Sequence, residues 1–449
     1  MNTLKLDSKR TILVGLAFLS ISAFWQMYDS VMPLLLKGTF RLPESLAGMI
    51  MAADNVLAMF LLPFFGSLSD RTRNEKLGRR TPYILAGTAF AVILMNVLPI
   101  LANSYAAEAA PYKFVSFVIV LGLLLIAMGT YRSPAVALMP DVTPKPLRSR
   151  GNAIINLMGA VGSIIYLGVA AVLYPGSSGA ETLTHVDYQP LFLTVSAIMA
   201  AAVVVLLITI REPRLAAANR ELEAKHPEWD LAEDDGSGSE VLPAPVKKSL
   251  LFLLASIALW YVGYNGVTTW FTSYIEEVMG EGLGGASTCL LVATGGAVVS
   301  YIPIGIAASK IGRKKTIQAG VILLAVCFFL GFVLTNVFTS INVVMFIVFA
   351  LVGLAWAAIN VNSLPMVVEM CKGSDVGKFT GYYYTTSMSA QVITPVLSGW
   401  LLEHVGYWTL FPYAALFVAL SFVTMVFVRH GDSKAEAKTG LEAFEGMDD

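Results

Sequence analysis

Three ionisable side chains, Asp29, Asp54 and Arg132, lie deep inside long apolar stretches of the chain. A charge at the centre of a membrane-spanning helix costs about 2.5–3.5 kcal/mol even on the more lenient insertion scale, so such groups are rare and tend to serve function. Two carboxyls and a guanidinium in a low-dielectric interior can exchange protons: burial favours a neutral carboxyl and a nearby cation favours its anion. The alternative is a fixed structural ion pair. Scaled along their stretches, Asp29 lies above the midplane and Asp54 near it, about 4 Å apart in depth. Arg132 lies about 10 Å deeper at 1.5 Å per residue, so its long side chain must reach upward to join them.

Hydrogen-bonding and aromatic residues cluster at similar depths: Trp25, Gln26 and Tyr28; Asn55; Tyr131; Trp260, Tyr264, Asn265 and Trp270; Trp356, Asn360 and Asn362; and Tyr383, Tyr384 and Gln391. A sugar needs many hydrogen-bonding groups and an aromatic surface for its apolar ring face, and these stretches supply both. Aromatics at this density also serve as packing and interfacial belts. The amides Asn265, Asn360 and Gln391 are stronger candidates, since an amide facing lipid would be unsatisfied. Enzyme and metal chemistry lack support. Cys289, Cys327 and Cys371 form no CxxC pair, and His185, His226, His404 and His430 show no ligand spacing.

The elements that must position these groups are membrane spans. Of 449 residues, 56% are hydrophobic and only 14% charged, with a mean hydropathy of +0.70; a soluble domain carries about 25% charged residues. A formal net charge of -1 offers no field for nucleic acid. Twelve apolar runs are long enough to cross a bilayer: 11–36, 45–67, 81–102, 113–138, 150–173, 188–210, 249–275, 286–308, 314–335, 340–367, 377–402 and 406–429. The first, holding Gln26 and Asp29, reads as a span rather than a cleaved signal. Loops after even-numbered spans carry nearly all loop Lys and Arg, whereas the others hold only Lys37, Arg41 and Lys113. The positive-inside rule then places both termini in the cytoplasm. The expected organisation is a six-span bundle over 1–210, a linker over 211–248 with a surface helix in LAAANRELEAKH, a second bundle over 249–430 and a tail over 431–449.

The two halves echo each other. Gly66-Ser-Leu-Ser-Asp70-Arg71, a spacer and Gly78-Arg79-Arg80 follow the second span; Gly305-Ile-Ala-Ala-Ser309-Lys310-Ile-Gly312-Arg313-Lys314-Lys315 follow the eighth. Pro140-Asp141 with Arg150-Gly151 is matched by Glu369 with Lys378 and Gly381. Repeats among twelve spans point to a secondary transporter with its site between the halves. Gly66 permits close helix approach. Asp70 can accept from the N-terminus of the eleventh span near Asp375–Lys378 and latch the cytoplasmic side. Arg79 and Arg80 are expected to pair with Asp141, and Arg313 and Lys314 with Glu369. Ser309 in place of the acid predicts a weaker second latch. For Arg71, Lys76 and Lys315, fixing topology alone suffices.

These turns resemble the signature of the major facilitator superfamily over residues 10–430. Pro63-Phe-Phe-Gly66-Ser-Leu-Ser-Asp70 with Gly78-Arg-Arg-Thr-Pro82-Tyr-Ile84 resemble, more narrowly, the glycoside-pentoside-hexuronide cation symporters and the sucrose/proton symporter-like solute carriers. The resemblance implies an all-α membrane protein of two pseudo-symmetric six-helix bundles, moving a small molecule across the cell membrane by alternating access as a monomer without a cofactor. Sodium-using melibiose-type members carry two carboxylates where this chain has Ala58 and Leu62, so a co-transported proton on Asp29 or Asp54 is favoured over sodium. The reading is a proton-coupled sugar or glycoside symporter. The alternatives are another cargo, since relatives of this fold carry lysophospholipids, and a membrane enzyme or non-transporting sensor. The sensor is disfavoured because the central loop is too short to house a folded signalling domain.

Overall fold

The computed structural model describes residues 6–175, 185–226, 242–370 and 376–432. They form thirteen α-helices: α1 Ser8–Leu34, α2 Glu44–Arg71, α3 Thr81–Ala107, α4 Pro111–Val142, α5 Arg148–Leu173, α6 Gln189–Thr209, α7 Glu212–Ala224, α8 Ala244–Met279, α9 Leu283–Ile311, α10 Arg313–Val337, α11 Val343–Val368, α12 Val376–His404 and α13 Leu410–Val426. All but α7 correspond to the twelve expected spans. Eleven spans, one extending α1 through a π-turn at Leu35–Thr39, are long and apolar enough to cross a membrane. The exception, α12, has the length, but Tyr382-Tyr-Tyr-Thr-Thr-Ser-Met-Ser-Ala-Gln391 lowers its hydropathy.

Local chemistry sets the helix ends. Asp7 accepts from the backbone N–H of Arg10 and opens α1, and Asn342 accepts from those of Val344 and Met345 and opens α11. Proline in the first turn starts α3, α4, α6, α7 and α8, where its missing N–H leaves no helical bond unmade. Two boundaries move outward from expectation. α4 runs on to Val142 and carries Asp141 on its last turn, and α8 starts at Ala244, taking up residues read as linker.

The chain clusters into two compact units. Among the described residues the first holds 6–43, 53–175 and 185–226, and the second holds 44–52, 242–370 and 376–432. In the first, α1 packs most extensively on α5, and α3 on α4. A Cβ on Gly87 would stand 2.8 Å from the backbone nitrogen of Tyr131, a close approach that glycine allows. In the second, α9 lies against α11, where a Cβ on Gly296 would stand 2.7 Å from the carbonyl of Ala350. Large apolar side chains such as Phe60, Phe90, Ile93 and Val299 point outward, as expected where the surrounding solvent is lipid. The amphipathic α7 packs on α4 within the first unit.

Candidate functional site

In the first unit the structure assembles the ionisable trio. Asp29 on α1, Asp54 on α2 and Arg132 on α4 are each half-buried. Asp54 is within electrostatic range of both Asp29 and Arg132. The Arg132 guanidinium lies over the Trp25 ring, 5.9 Å from its centroid, so the side chain does reach toward α1. Trp25 meets Tyr28 edge-on at 5.5 Å, and Asp54 accepts from the Asn55 side-chain amide at 2.9 Å. The Tyr28 hydroxyl and Trp25 Nε1 are buried without a hydrogen-bond partner among the described residues. Gln26 is half-buried on the same turn of α1. Tyr131 stands apart: fully buried, it pairs with the Ser20 hydroxyl and donates to the carbonyl of Ala17 at 3.0 Å, holding α4 against α1.

The second unit gathers aromatics and amides. Tyr264 on α8 stacks on Trp356 of α11 with ring centroids 3.7 Å apart and planes 4° from parallel, and Tyr261 meets Trp356 edge-on at 5.4 Å. Tyr383 bonds Ser363 at 3.0 Å and meets Tyr384 edge-on at 5.4 Å. Asn265 Nδ2 and Asn360 Oδ1 have no hydrogen-bond partner among the described residues, leaving one donor and one acceptor. Asn362 instead donates to Ala358 on its own helix at 2.9 Å. Gln391 on α12 is half-buried, whereas Trp260 and Trp270 are fully buried core residues.

At the basic end of the first unit, the signature residues form one network. Asp141 receives Arg79 at 2.5 and 3.0 Å and Arg80 at 2.8 Å. Arg80, only 5% exposed, also pairs with Asp70 and donates to Ser69 at 2.5 Å. A Cβ on Gly66 would stand 3.0 Å from Ser133 Oγ, so this glycine sets how closely α2 meets α4. The proposed partner of Asp70 near Asp375 falls outside the described residues. In the second unit Arg313 pairs with Glu369. Lys314 departs from its expected pairing with Glu369: it donates to the carbonyls of Val428 at 2.5 Å and Val426 at 3.1 Å, capping the end of α13. Ser309 donates to Ile306 within its own helix at 2.8 Å.

Sequence reasoning missed Glu212. This 2%-exposed carboxylate at the start of α7 accepts from the backbone N–H groups of Arg79 (2.7 Å), Arg80 (2.9 and 3.1 Å) and Thr81 (2.7 Å), and from the Thr81 hydroxyl (2.7 Å). It therefore caps α3. Asp432, after α13, does a smaller version of this in the second unit by accepting from the Lys314 N–H at 2.8 Å. The signal available was positional, an acid a few residues past the sixth and the twelfth span.

The model of the Major Facilitator Superfamily matches residues 14–302 and 284–445. The chain belongs to the Major Facilitator Superfamily. It is therefore a multi-pass membrane transporter of a small molecule rather than an enzyme. It is 28% identical over 139 residues to the sucrose transport protein SUC3 of Arabidopsis thaliana, covering 28% of this chain and 23% of that one. The chain spans about a quarter of the length of the curated relatives it matches. The inward-open structure of the xylose transporter XylE from E. coli superposes with a TM-score of 0.67 at 16% identity, over 98% of each chain. A D-xylose-proton symporter does so with a TM-score of 0.66 at 15% identity, over 94% of this transporter and 98% of that chain. At such identities the likeness concerns the fold, and a nucleoside transporter superposes to a similar degree.

Proposed function

We propose that this transporter is a monomeric proton-coupled symporter of a neutral sugar or glycoside that works by alternating access in the cell membrane, with both termini cytoplasmic. The observation that carries the reading is the Asp29–Asp54–Arg132 group inside the first unit. With both acids ionised the group carries a net charge of one minus, and one bound proton neutralises it. Spans of the second unit carry ionisable side chains only near their ends. An uncharged cargo bound with the proton thus leaves no uncompensated charge in the interior, whereas an anionic sugar would. The Tyr264–Trp356 stack and the free amide atoms of Asn265 and Asn360 suit a ring with hydroxyls. The sucrose and xylose transporters among the similar proteins agree with this cargo class. One proton moving down about 100 mV and one pH unit supplies roughly 3.7 kcal/mol, enough for several-hundred-fold accumulation.

The test is uptake of radiolabelled mono- and disaccharides into proteoliposomes under an imposed pH gradient. Asp29→Asn or Asp54→Asn should keep exchange of the transported sugar and lose uphill accumulation. If both single variants still accumulate it, proton coupling through these acids is wrong, and if no sugar is taken up or exchanged by the wild type, the cargo assignment is wrong.

A further inference from the structure

A second cleft lies in the first unit, well away from the ionisable trio along the chain's spans. It encloses about 990 Å³ between the 72–79 turn, the 140–148 turn and α7. Its acids are largely committed: Asp141 to Arg79 and Arg80, Glu223 to Arg148 at 3.0 Å, and Glu212 to the α3 N-terminus. Two arginines on different walls are not paired with an acid: Arg73 on the turn, and Arg220 on α7, whose Nε donates only to the carbonyl of Ala216 at 3.2 Å. A third group is unsatisfied within the wall. Asn219 is 6% exposed, and its Nδ2 is fixed by the carbonyls of Asp141 (3.2 Å) and Thr143 (3.3 Å), which leaves Oδ1 buried with no partner among the described residues. An unfilled buried acceptor asks for a donor.

We propose that this cleft binds a hydroxyl-bearing phosphate ester, with the phosphate between Arg73 and Arg220 and a hydroxyl donated to Asn219 Oδ1. Guanidinium groups suit phosphate through paired charge-assisted hydrogen bonds, and the hydroxyl answers the orphaned oxygen. Glu75, the remaining acid of the wall, is exposed and opposes the anion. The loop-charge bias puts the cleft on the cytoplasmic side, where the chemistry is available as a free sugar phosphate or as the headgroup of an inositol phospholipid. Either occupant would tie the 72–79 turn to α7. The proposal does not depend on which cargo the transporter carries.

The experiment measures melting of the purified full-length protein against glucose 6-phosphate in detergent, with glucose and sulfate as controls, and in nanodiscs with and without phosphatidylinositol. A stabilisation by glucose 6-phosphate that glucose and sulfate do not reproduce identifies a free metabolite; one by phosphatidylinositol alone identifies the lipid. In either case R73A/R220A should weaken the apparent affinity roughly tenfold or more, and Glu75→Gln should strengthen it. The double variant should melt like the wild type without ligand, since neither arginine holds a structural ion pair. No stabilisation by either source, equal stabilisation by sulfate, or an effect unchanged in R73A/R220A would overturn the proposal.

Discussion

Replacing Glu212 should weaken the first unit more than any other single change at its basic end. In Glu212→Ala three backbone N–H groups and one hydroxyl lose their acceptor. A buried donor left unsatisfied costs about 1–3 kcal/mol, and water entering from the adjoining cleft returns part of this, leaving a net loss of roughly 2–4 kcal/mol. For a unit of this size that lowers Tm by about 5–15 °C. Glu212→Gln keeps one acceptor oxygen but loses the charge at the α3 N-terminus, for a loss of about 1–2 kcal/mol. Gly78 supplies an internal check. Its φ is +91°, and an added Cβ would stand 2.5 and 2.7 Å from the two Glu212 carboxylate oxygens. Gly78→Ala should therefore cost more beside Glu212 than in the Glu212→Ala background, a coupling that a double-mutant cycle measures. Asp432→Ala, which frees one N–H in the second unit, should cost only about 1 kcal/mol. The readout is thermal unfolding of the purified transporter by intrinsic fluorescence. If Glu212→Ala melts with the wild type, or Asp432→Ala costs as much, the capping argument is wrong.

Arg132→Lys keeps the charge but loses the planar contact with Trp25, so uphill transport should fall in proteoliposomes; full activity of both Arg132→Lys and Arg132→Gln would reduce Arg132 to a structural role. Trp356→Ala removes the surface stacked on Tyr264 and should weaken binding of the transported sugar by about 1–3 kcal/mol, or roughly 5- to 150-fold in Kd by equilibrium binding; an unchanged Kd would remove the stack from the site. Burial pushes the His185 imidazole below its usual range, with Asp187 partly opposing this. The unfolded chain then binds more protons than the folded one, so His185 stabilises above its unfolded pKa near 6.5 and this is lost as pH falls below it. The fall in Tm between about pH 7 and pH 5 should be shallower in His185→Gln, and an identical slope counts against that sign.

What could be read in the sequence follows from how far apart the interacting groups lie. Twelve spans were legible because an apolar run of sufficient length has one use in this composition. The trio was legible because each member is expensive where it sits, and the pairing of Arg79 and Arg80 with Asp141 because signature turns hold them at one membrane face. Glu212 was not legible: it is an acid in an ordinary charged segment, and its partners lie more than 130 residues earlier. The role of Tyr131 was hidden because neighbouring Arg132 drew it into the polar group, whereas helix phase turns its hydroxyl to Ser20 and Ala17. Lys314 follows Arg313 directly, and consecutive residues on a helix face different ways, so they cannot share one carboxylate equally well.

The repeat preserves a framework while its two copies diverge in chemistry. Each unit has a helix N-terminus held by an acid beyond the unit's last span, and each has an arginine paired across to the next hairpin. The interiors differ. Ionisable groups are confined to the first unit, where two acids and one base can compensate one another, and the second offers aromatic faces and neutral amides. Such a separation has a physical reason. A proton site needs a poised balance of charge in a low dielectric, and each additional charge nearby would shift that balance. A sugar site needs many weak neutral contacts and gains little from charge. Under the proposed function, placing the two tasks on different copies of the repeat lets cargo contacts change without disturbing the proton site, because side chains that share no partner act nearly independently.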